Sequence, residues 1–160
     1  MADIKTNVMR VLEQKKIKYS SHEYPHGKDA VDGLTVAAMT GTDPAKVYKT
    51  LVTRGSSKSI YVFVVPVAQE LDLKKAAKAV GEKSIAMIHV SEITALTGYV
   101  RGGCSPIGMK KQYVTTYHAD IELLDTVMVS AGKIGYQIEL SPSDLIALTR
   151  GKTADITTEV

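Results

Sequence analysis

The chain has 160 residues, 44% of them hydrophobic and 23% charged, a composition typical of folded proteins that excludes disordered and collagen-like classes. Its 20 Lys and Arg residues exceed its 17 Asp and Glu residues by 3, which permits a nucleic-acid partner without requiring one. The single cysteine, Cys104, excludes a disulfide framework and a cysteine-rich zinc site. No apolar run reaches the ~20 residues of a membrane span, so we expect a cytoplasmic protein without membrane contact, folded as one domain over residues 1–160.

The N-terminal third predicts a helix, a strand and a second helix. One helical face of the first segment is formed by Ile4, Val8, Val11 and Leu12. Asp3 is its expected N-cap. Alternating residues predict a strand over residues 16–24, and a loop over residues 25–29 follows. A short helix over residues 33–41 closes at a glycine, and Asp43 with Pro44 then begins a helical turn.

The middle of the chain predicts a β-hairpin followed by a capped helix. The β-branched runs over residues 48–53 and 60–67 form the hairpin. Asp72 caps the helix, and Gly81 ends it. We expect an inward face formed by Leu73, Ala76, Ala77 and Val80. The outer face carries Lys74, Lys75 and Lys78. Residues 84–90 then predict a strand.

The C-terminal half adds a short helix from Ser91 to Gly98 and three strands, over residues 113–117, 126–130 and 136–140. A last helix, with Ser141 as N-cap and proline at its first position, runs to Thr149. Because strands outnumber crossover helices and alternate with them irregularly, the order favours an α/β (α+β) fold with a mixed sheet over a doubly wound parallel one.

A glycine-rich loop over residues 98–108 is the first candidate site. Adjacent glycines let the backbone approach a ligand and expose N–H groups to an anion or a developing oxyanion, although tight turns need the same residues. The loop is not a dinucleotide fingerprint, because a helix and not a strand precedes it. Gly132 and Lys133 do not form a Walker loop, since Ile134 follows them. We therefore expect no nucleotide cofactor.

Three other residue types leave their roles open. Cys104 is a nucleophile or a small packing residue, and the lack of a local Cys–His signature favours packing. His22 and His26 have a metal-like spacing, but Pro25 between them disfavours a helix, so no metal is expected. Lys49 lies in a strand, where it either extends its charge to solvent or presents it to phosphate or carbonyl oxygen. The basic residues Lys74, Lys75, Lys78, Lys110 and Lys111 form either a phosphate-binding patch or a solvated face.

Four motifs occur together in a characteristic order. They are Lys49-Thr50-Leu51, Asp72-Leu73-Lys74-Lys75-Ala76-Ala77-Lys78, Gly98-Tyr99-x-x-Gly102-Gly103-x-Ser105-Pro106-x-Gly108 and Ser130-Ala131-Gly132-Lys133-x-Gly135. In this arrangement the chain closely resembles the YbaK/EbsC family of free-standing aminoacyl-tRNA deacylases, which is related to the editing domain of some prolyl-tRNA synthetases. The resemblance implies a curved, mostly antiparallel sheet flanked by helices.

The resemblance also implies site residues. The family's lysine falls on Lys49, and its glycine loop falls on Gly102 and Gly103, which makes these the expected catalytic residues. Substrate-binding positions fall on Tyr24, Ser105 and Ser130. For a tRNA substrate, we expect Lys74, Lys75 and Lys78 of the basic helix to contribute binding affinity. Asp32-Gly33 occupies the stretch where the family has a pocket phenylalanine, a departure that concerns amino-acid specificity.

The function implied by the resemblance is release of a mischarged amino acid from tRNA, with Cys-tRNA(Pro) as the expected substrate and no cofactor. In the family mechanism the thiol of the substrate attacks its own ester carbonyl. The alternatives are a deacylase for another small amino acid, such as alanine, acting by water attack, and a non-catalytic tRNA-binding or regulatory module. Aminoacyl-tRNA is the expected partner, and prolyl-tRNA synthetase is a further candidate partner.

Overall fold

The structure is a computed structural model that describes residues 5–27 and 29–158. Its α-helices are α1 (Asn7–Gln14), α2 (Gly33–Thr40), α3 (Leu73–Val80), α4 (Ile93–Thr97) and α5 (Pro142–Thr149). Its strands are β1 (Tyr19–Glu23), β2 (Tyr48–Gly55), β3 (Ile60–Pro66), β4 (Ile85–Met87), β5 (Val114–His118), β6 (Val127–Ser130), β7 (Tyr136–Leu140) and β8 (Lys152–Ala154). Short 3-10 helices cover Pro44–Lys46, Val90–Glu92 and Ala119–Leu123. Within the described ranges no helix is both long and apolar enough to span a bilayer.

The strands form two sheets that share an edge contact. The smaller has the order β1-β7-β6, and the larger has the order β4-β2-β3-β5-β8. All pairs are antiparallel except β3 with β5 and β5 with β8, which are parallel. An isolated parallel bridge between Val47 and Met128 joins the sheets just before β2. The mixed, mostly antiparallel α/β architecture is therefore confirmed, but its strands are divided between two sheets.

The first helix begins later than the sequence pattern predicts. Thr6 is its N-cap, and the Thr6 Oγ1 atom accepts a hydrogen bond from the Met9 N–H at 3.2 Å. The expected cap Asp3 and the expected face residue Ile4 lie outside the described residues. A threonine cap satisfies one of the backbone donors that a helix start leaves free, so the helix needs no cap further upstream.

Helix α3 has the predicted caps but a narrower buried face. The Asp72 carboxylate accepts hydrogen bonds from two backbone N–H groups of the first turn, and Gly81 ends the helix at φ 74°. Ala76 and Ala77 are buried, whereas Leu73 is 42% exposed, so the prediction that Leu73 faces inward was wrong. The reason is its place at the first helical position, where its side chain borders a surface groove instead of the core.

Helix α2 begins with a carboxylate cap and a close contact that depends on a glycine. The Asp32 carboxylate caps it by accepting a hydrogen bond from the Thr35 N–H at 3.0 Å. A Cβ atom added to Gly33 would lie 2.3 Å from Val67 Cγ1, at the end of the β2–β3 hairpin. The first turn of α2 therefore packs directly on Val67, and only glycine permits that distance. Where the family has a pocket phenylalanine, this chain thus has a helix cap, Asp32, and a glycine in close contact with Val67.

We predict that Gly33→Ala lowers the free energy of unfolding by about 1–3 kcal/mol, the usual cost of overpacking, although alanine favours helices more than glycine does. Urea denaturation of the purified protein measures it. Gly27→Ala is the control, because its Cβ would meet nothing within 4 Å. Adding Val67→Ala should restore little of the loss, because the Cβ atom of residue 67 would still lie 2.6 Å from the added methyl group. If Gly33→Ala is as stable as Gly27→Ala, the close contact does not constrain α2.

Candidate functional site

A small cavity lies where the first turn of α2, the start of β2 and the glycine-rich loop meet. Its volume is about 150 Å³. The residues that line it are Tyr24, Val31, Gly33, Val36, Val47, Tyr48, Lys49, Thr50, Val67, Gly102, Cys104, Ser130 and Gln137. Valines form an apolar part of the wall, while hydroxyl, amide and ammonium groups belong to the remainder. This mixture of an apolar wall with a few polar groups is typical of small-ligand sites.

The volume limits what the cavity can hold. An engineered protein cavity of about 150 Å³ accommodates benzene, so this one accommodates a group of comparable size. A small amino-acid side chain with its carbonyl group meets that limit, whereas a nucleoside does not. A ligand larger than this must leave the rest of its structure outside the cavity.

Four of the sequence-predicted site residues come together in this wall. Tyr24 precedes the loop after β1, Lys49 lies at the start of β2, Gly102 lies in the glycine-rich loop, and Ser130 ends β6. They come from four separate parts of the chain, and the two-sheet arrangement brings them around one space. Gly103 and Ser105 are not among the lining residues.

Lys49 supplies the cationic group of the wall. It pairs with Val65 across the β2–β3 ladder, and its side chain is 29% exposed. Its Nζ atom lies 3.7 Å from the Glu70 Oε1 atom. The ammonium is therefore placed between the cavity and solvent, a position from which it can reach an anion at the cavity mouth.

The glycine-rich loop divides its tasks between adjacent residues. Gly102 adopts φ +86°, and a Cβ there would lie 2.6 Å from the Ala30 Cβ atom, so glycine is needed for both conformation and contact. The Gly103 N–H donates a hydrogen bond to the Val100 carbonyl at 3.0 Å. That N–H closes a turn and does not face the cavity. The sequence-based expectation that Gly103 offers its N–H to a ligand is therefore not supported.

Ser105 has a local structural role. Its side chain is fully buried, and its Oγ atom accepts a hydrogen bond from the Ile107 N–H at 3.2 Å. This bond shapes the loop as Ser105 leads into Pro106. The expectation of a substrate-binding Ser105 thus finds no support in its position, because its hydroxyl stabilises the loop backbone.

Tyr24 and Ser130 are held firmly at the cavity wall. The Tyr24 N–H donates to the Gly135 carbonyl at 2.9 Å, and its ring packs edge-on against His26 with 6.2 Å between centroids. The Ser130 Oγ atom accepts from the Gly132 N–H at 3.2 Å. Since that bond uses an oxygen lone pair, the hydroxyl proton of Ser130 can still be donated to a ligand.

Further polar residues line the cavity that sequence reading did not select. Gln137 lies directly across the β6–β7 ladder from Ser130. The Thr50 Oγ1 and Tyr48 hydroxyl oxygens are buried without a hydrogen-bond partner among the described residues, although such groups are normally paired. Ser130 and Gln137 are polar residues in otherwise apolar predicted strands, so the sequence alone could have marked Gln137 as a candidate site residue. The unpaired hydroxyls of Tyr48 and Thr50 could not be recognised from the sequence, because hydrogen-bond pairing depends on the tertiary structure.

The described cavity wall contains no carboxylate and no imidazole. Its one thiol, Cys104, is largely buried, and burial raises the pKa of that thiol to about 11. Cys104 is therefore protonated near neutral pH, when only the thiolate would be an effective nucleophile. Residues 5–27 and 29–158 also contain no cluster of His, Cys, Asp and Glu able to hold a metal ion. The wall can position and polarise a ligand, but it offers no evident general base.

The predicted tRNA-binding lysines separate into two environments. Lys74 and Lys78 border a surface groove of about 560 Å³ between α3 and β4, with Lys83 on the same groove. Glu82 also borders it, but hydrogen bonds from Ser57 and Tyr61 hold the pKa of this carboxyl down at about 2.

Lys75 points to a different part of the molecule. Its Nζ atom pairs with Asp155 at 3.1 Å and donates to the Thr157 carbonyl at 2.9 Å. These two bonds attach α3 to the C-terminal segment, so Lys75 is engaged within the protein. Of the three predicted lysines, Lys74 and Lys78 are the ones at the groove.

The fold and cavity define a class of protein: a mixed α/β domain with a small cavity lined by one lysine and by part of a glycine-rich loop. A sequence model described as the aminoacyl-tRNA editing domain matches residues 28–148. The Enterococcus faecalis protein EbsC, named as a candidate Cys-tRNA(Pro)/Cys-tRNA(Cys) deacylase, is 46% identical over 97% of this chain and 94% of its own. The chain therefore belongs to the aminoacyl-tRNA editing domain family, as the motif resemblance predicted.

Solved structures support the same assignment. The structure of a candidate trans-editing enzyme for prolyl-tRNA synthetase matches with a TM-score of 0.82 at 25% identity, over 98% of this chain and all of the other. A structure of an uncharacterised protein matches with a TM-score of 0.85 over 96% of this chain and all of the other. At 19% identity, that second match shows the shared fold alone.

We predict that Cys104 reacts slowly with iodoacetamide in the native protein. Because burial raises the pKa of its thiol to about 11, the alkylation rate should keep rising with pH beyond 9, whereas an ordinary thiol levels off above its pKa of about 8.5. Mass spectrometry follows the reaction, and the urea-unfolded chain is the reference. Rapid native alkylation at pH 7 would contradict the assignment and restore Cys104 as a candidate nucleophile.

Proposed function

We propose that this protein is a trans-editing aminoacyl-tRNA deacylase of the cytoplasm that releases cysteine from Cys-tRNA(Pro). Membership of the editing-domain family and the name of the 46% identical relative support the activity and the substrate. The observation that carries the proposal is the cavity itself. It has room for a small aminoacyl group, holds one cationic side chain, and offers no base in its described wall.

The chemistry that fits such a wall uses a nucleophile from the substrate. The cysteinyl sulfur attacks the ester carbonyl carbon, the C–O bond to the ribose breaks, and the thiol proton passes to the departing ribose oxygen. The products are a cyclic thioester and tRNA with its hydroxyl restored, and water then opens the thioester. A thiol is partly ionised near neutral pH and is intrinsically nucleophilic, so the step needs orientation more than a protein base.

The lining residues take roles that match their positions. Lys49, between the cavity and solvent, binds the phosphate or terminal adenosine that remains outside. The Gly102 N–H polarises the ester carbonyl, which leaves one backbone donor where the sequence suggested two. Tyr24 and Ser130 contact the aminoacyl group, together with Gln137. The apolar wall accommodates the side chain of the amino acid.

Lys49→Ala should reduce the single-turnover deacylation rate by about 10²-fold, because losing the contact that positions the tRNA end misplaces the ester, and a misplacement of about 1 Å has an effect of this size. The assay follows loss of labelled cysteine from tRNA with enzyme in excess. Lys18→Ala removes an exposed lysine that does not line the cavity and should match the wild type. A wild-type rate in folded Lys49→Ala protein would refute the role of this lysine.

Replacing cysteine on the tRNA by serine should slow release by at least 10²-fold, because a hydroxyl needs a general base that the described wall lacks. Quenched reactions with Cys-tRNA(Pro), Ser-tRNA(Pro) and Ala-tRNA(Pro) measure the rates, and mass spectrometry detects the cyclic thioester. Equal rates for cysteine and serine, or fast release of alanine, would favour water attack. Binding without release of any amino acid would favour a non-catalytic module.

The groove lysines should govern salt-dependent tRNA affinity. Log K falls as log salt rises, and each phosphate contact removed makes this negative slope shallower by about 0.7–0.9. The double variant Lys74→Ala with Lys78→Ala should therefore make the slope shallower by about twice that amount and leave the single-turnover rate unchanged. Lys75→Ala is the matched control: it should keep the slope and reduce thermal stability instead. A slope that becomes shallower for Lys75→Ala alone would reverse this assignment.

A further inference from the structure

The ion pair between Lys49 and Glu70 has an unusual asymmetry. The Glu70 side chain is 81% exposed and that of Lys49 is 29% exposed. At 3.7 Å the two charged atoms are within ion-pair range but beyond a normal hydrogen bond. No other carboxylate in the described part of the chain pairs with this ammonium. The pair is therefore loose and open to solvent, and it can be exchanged for another anion.

The backbone of Glu70, by contrast, is held in place. Its carbonyl accepts a hydrogen bond from the Thr158 N–H at 3.0 Å, and Leu71 forms an antiparallel bridge with Thr157. The Asp72 N–H donates to the carbonyl of Ile156, which is fully buried, at 2.8 Å. The C-terminal segment thus fixes the position of Glu70 beside Lys49 while leaving its carboxylate free to rotate.

We propose that Glu70 is a positioning residue: the resident counter-ion of Lys49, which the phosphate of a bound tRNA end displaces. This rests on the role proposed above for Lys49. A carboxylate and a phosphate compete for one ammonium and repel each other at this separation, which is well within the Debye length of about 8 Å at physiological salt. Glu70 therefore weakens the binding of every anion at this mouth.

The proposed role of Glu70 affects release of the product tRNA and not the cleavage of the ester. Deacylated tRNA keeps its phosphates after the ester is cleaved, so an uncompensated Lys49 would retain it. Glu70 returns to the ammonium as the product leaves. It thereby favours release and limits occupation of the site by uncharged tRNA and free nucleotides. The reacting carbonyl is not contacted by Glu70, so the rate of ester cleavage does not depend on it.

The test compares Glu70→Gln, which removes the charge, with Glu70→Asp, which keeps it. Adenosine 5′-monophosphate is the binding probe, since it carries a terminal nucleoside and one phosphate. Exposed ion pairs contribute little, so we expect Glu70→Gln to tighten nucleotide binding about two- to fivefold at low salt and to lose this advantage at high salt. KM for Cys-tRNA(Pro) and the inhibition constant of deacylated tRNA should fall by the same factor, with the single-turnover rate unchanged.

Two controls separate the possible outcomes. Asp125→Asn changes the net charge equally at an exposed residue that does not line the cavity, and it should behave as the wild type. In a Lys49→Ala background the Glu70→Gln effect should shrink, because competition for the ammonium is gone and only the repulsion between carboxylate and phosphate is left. If Lys49→Ala abolishes nucleotide binding but Glu70→Gln leaves it unchanged or weaker, the Glu70 inference alone is overturned. If Lys49→Ala retains wild-type nucleotide binding and deacylation, the role of Lys49 fails and the inference fails with it.

Discussion

The antiparallel pairing of β2 with β3 is the interaction on which the site depends. Its register places Lys49 opposite Val65 and ends the hairpin at Val67, the residue on which Gly33 packs. The chain then turns immediately toward Glu70. One ladder of backbone hydrogen bonds thus sets the cation, the apolar wall and the position from which the counter-ion approaches. A one-residue slip would move every side chain to the opposite face and remove all three together.

The composition of the wall decides where catalytic power can come from. An ester is already activated, so orientation and charge stabilisation are enough if the nucleophile is supplied, and each tenfold of rate requires about 1.4 kcal/mol. The described wall supplies a cation at Lys49 and hydroxyl groups, and in the proposed mechanism the Gly102 N–H adds a backbone donor. Burial keeps Cys104 protonated, which prevents it from competing with the substrate for the carbonyl. The proposed mechanism is also selective, because a site without its own base acts fast only on substrates that bring a nucleophile.

Local signals predicted most of the fold. The caps at Asp72, Gly81 and Gly41 begin or end helices where expected, because capping depends on residues only a few positions apart. Strand β8 was missed, since its three residues lack a periodic pattern and pair with a distant strand. The division into two sheets was missed for the same reason: no local feature specifies that β1 pairs with β7.

The site was predictable only in part, because motifs identify residues but not the distant contacts that fix their roles. Motif matching found Lys49 and Gly102, whose places in the wall follow from strand register and loop conformation. It could not separate Gly102 from Gly103, because the Val100 carbonyl that occupies the second N–H is identified only by the folded turn. Lys75 looked equivalent to its neighbours until Asp155, 80 residues away, proved to be its partner. Individual roles depend on contacts far apart in sequence, which spacing does not encode.

Charge is distributed so that binding and release can be controlled separately. Lys74 and Lys78 are one helical turn apart, about 6 Å along the axis of α3, and the neighbouring carboxylate of Glu82 is already engaged by hairpin hydroxyls. These lysines attract a polyanion over roughly a Debye length before any contact forms. In the proposed mechanism Lys49 acts only at contact, and Glu70 competes with the phosphate for it. In this proposal the weak local retention at Lys49 lets deacylated tRNA leave, while the groove lysines keep long-range attraction and so do not slow encounter.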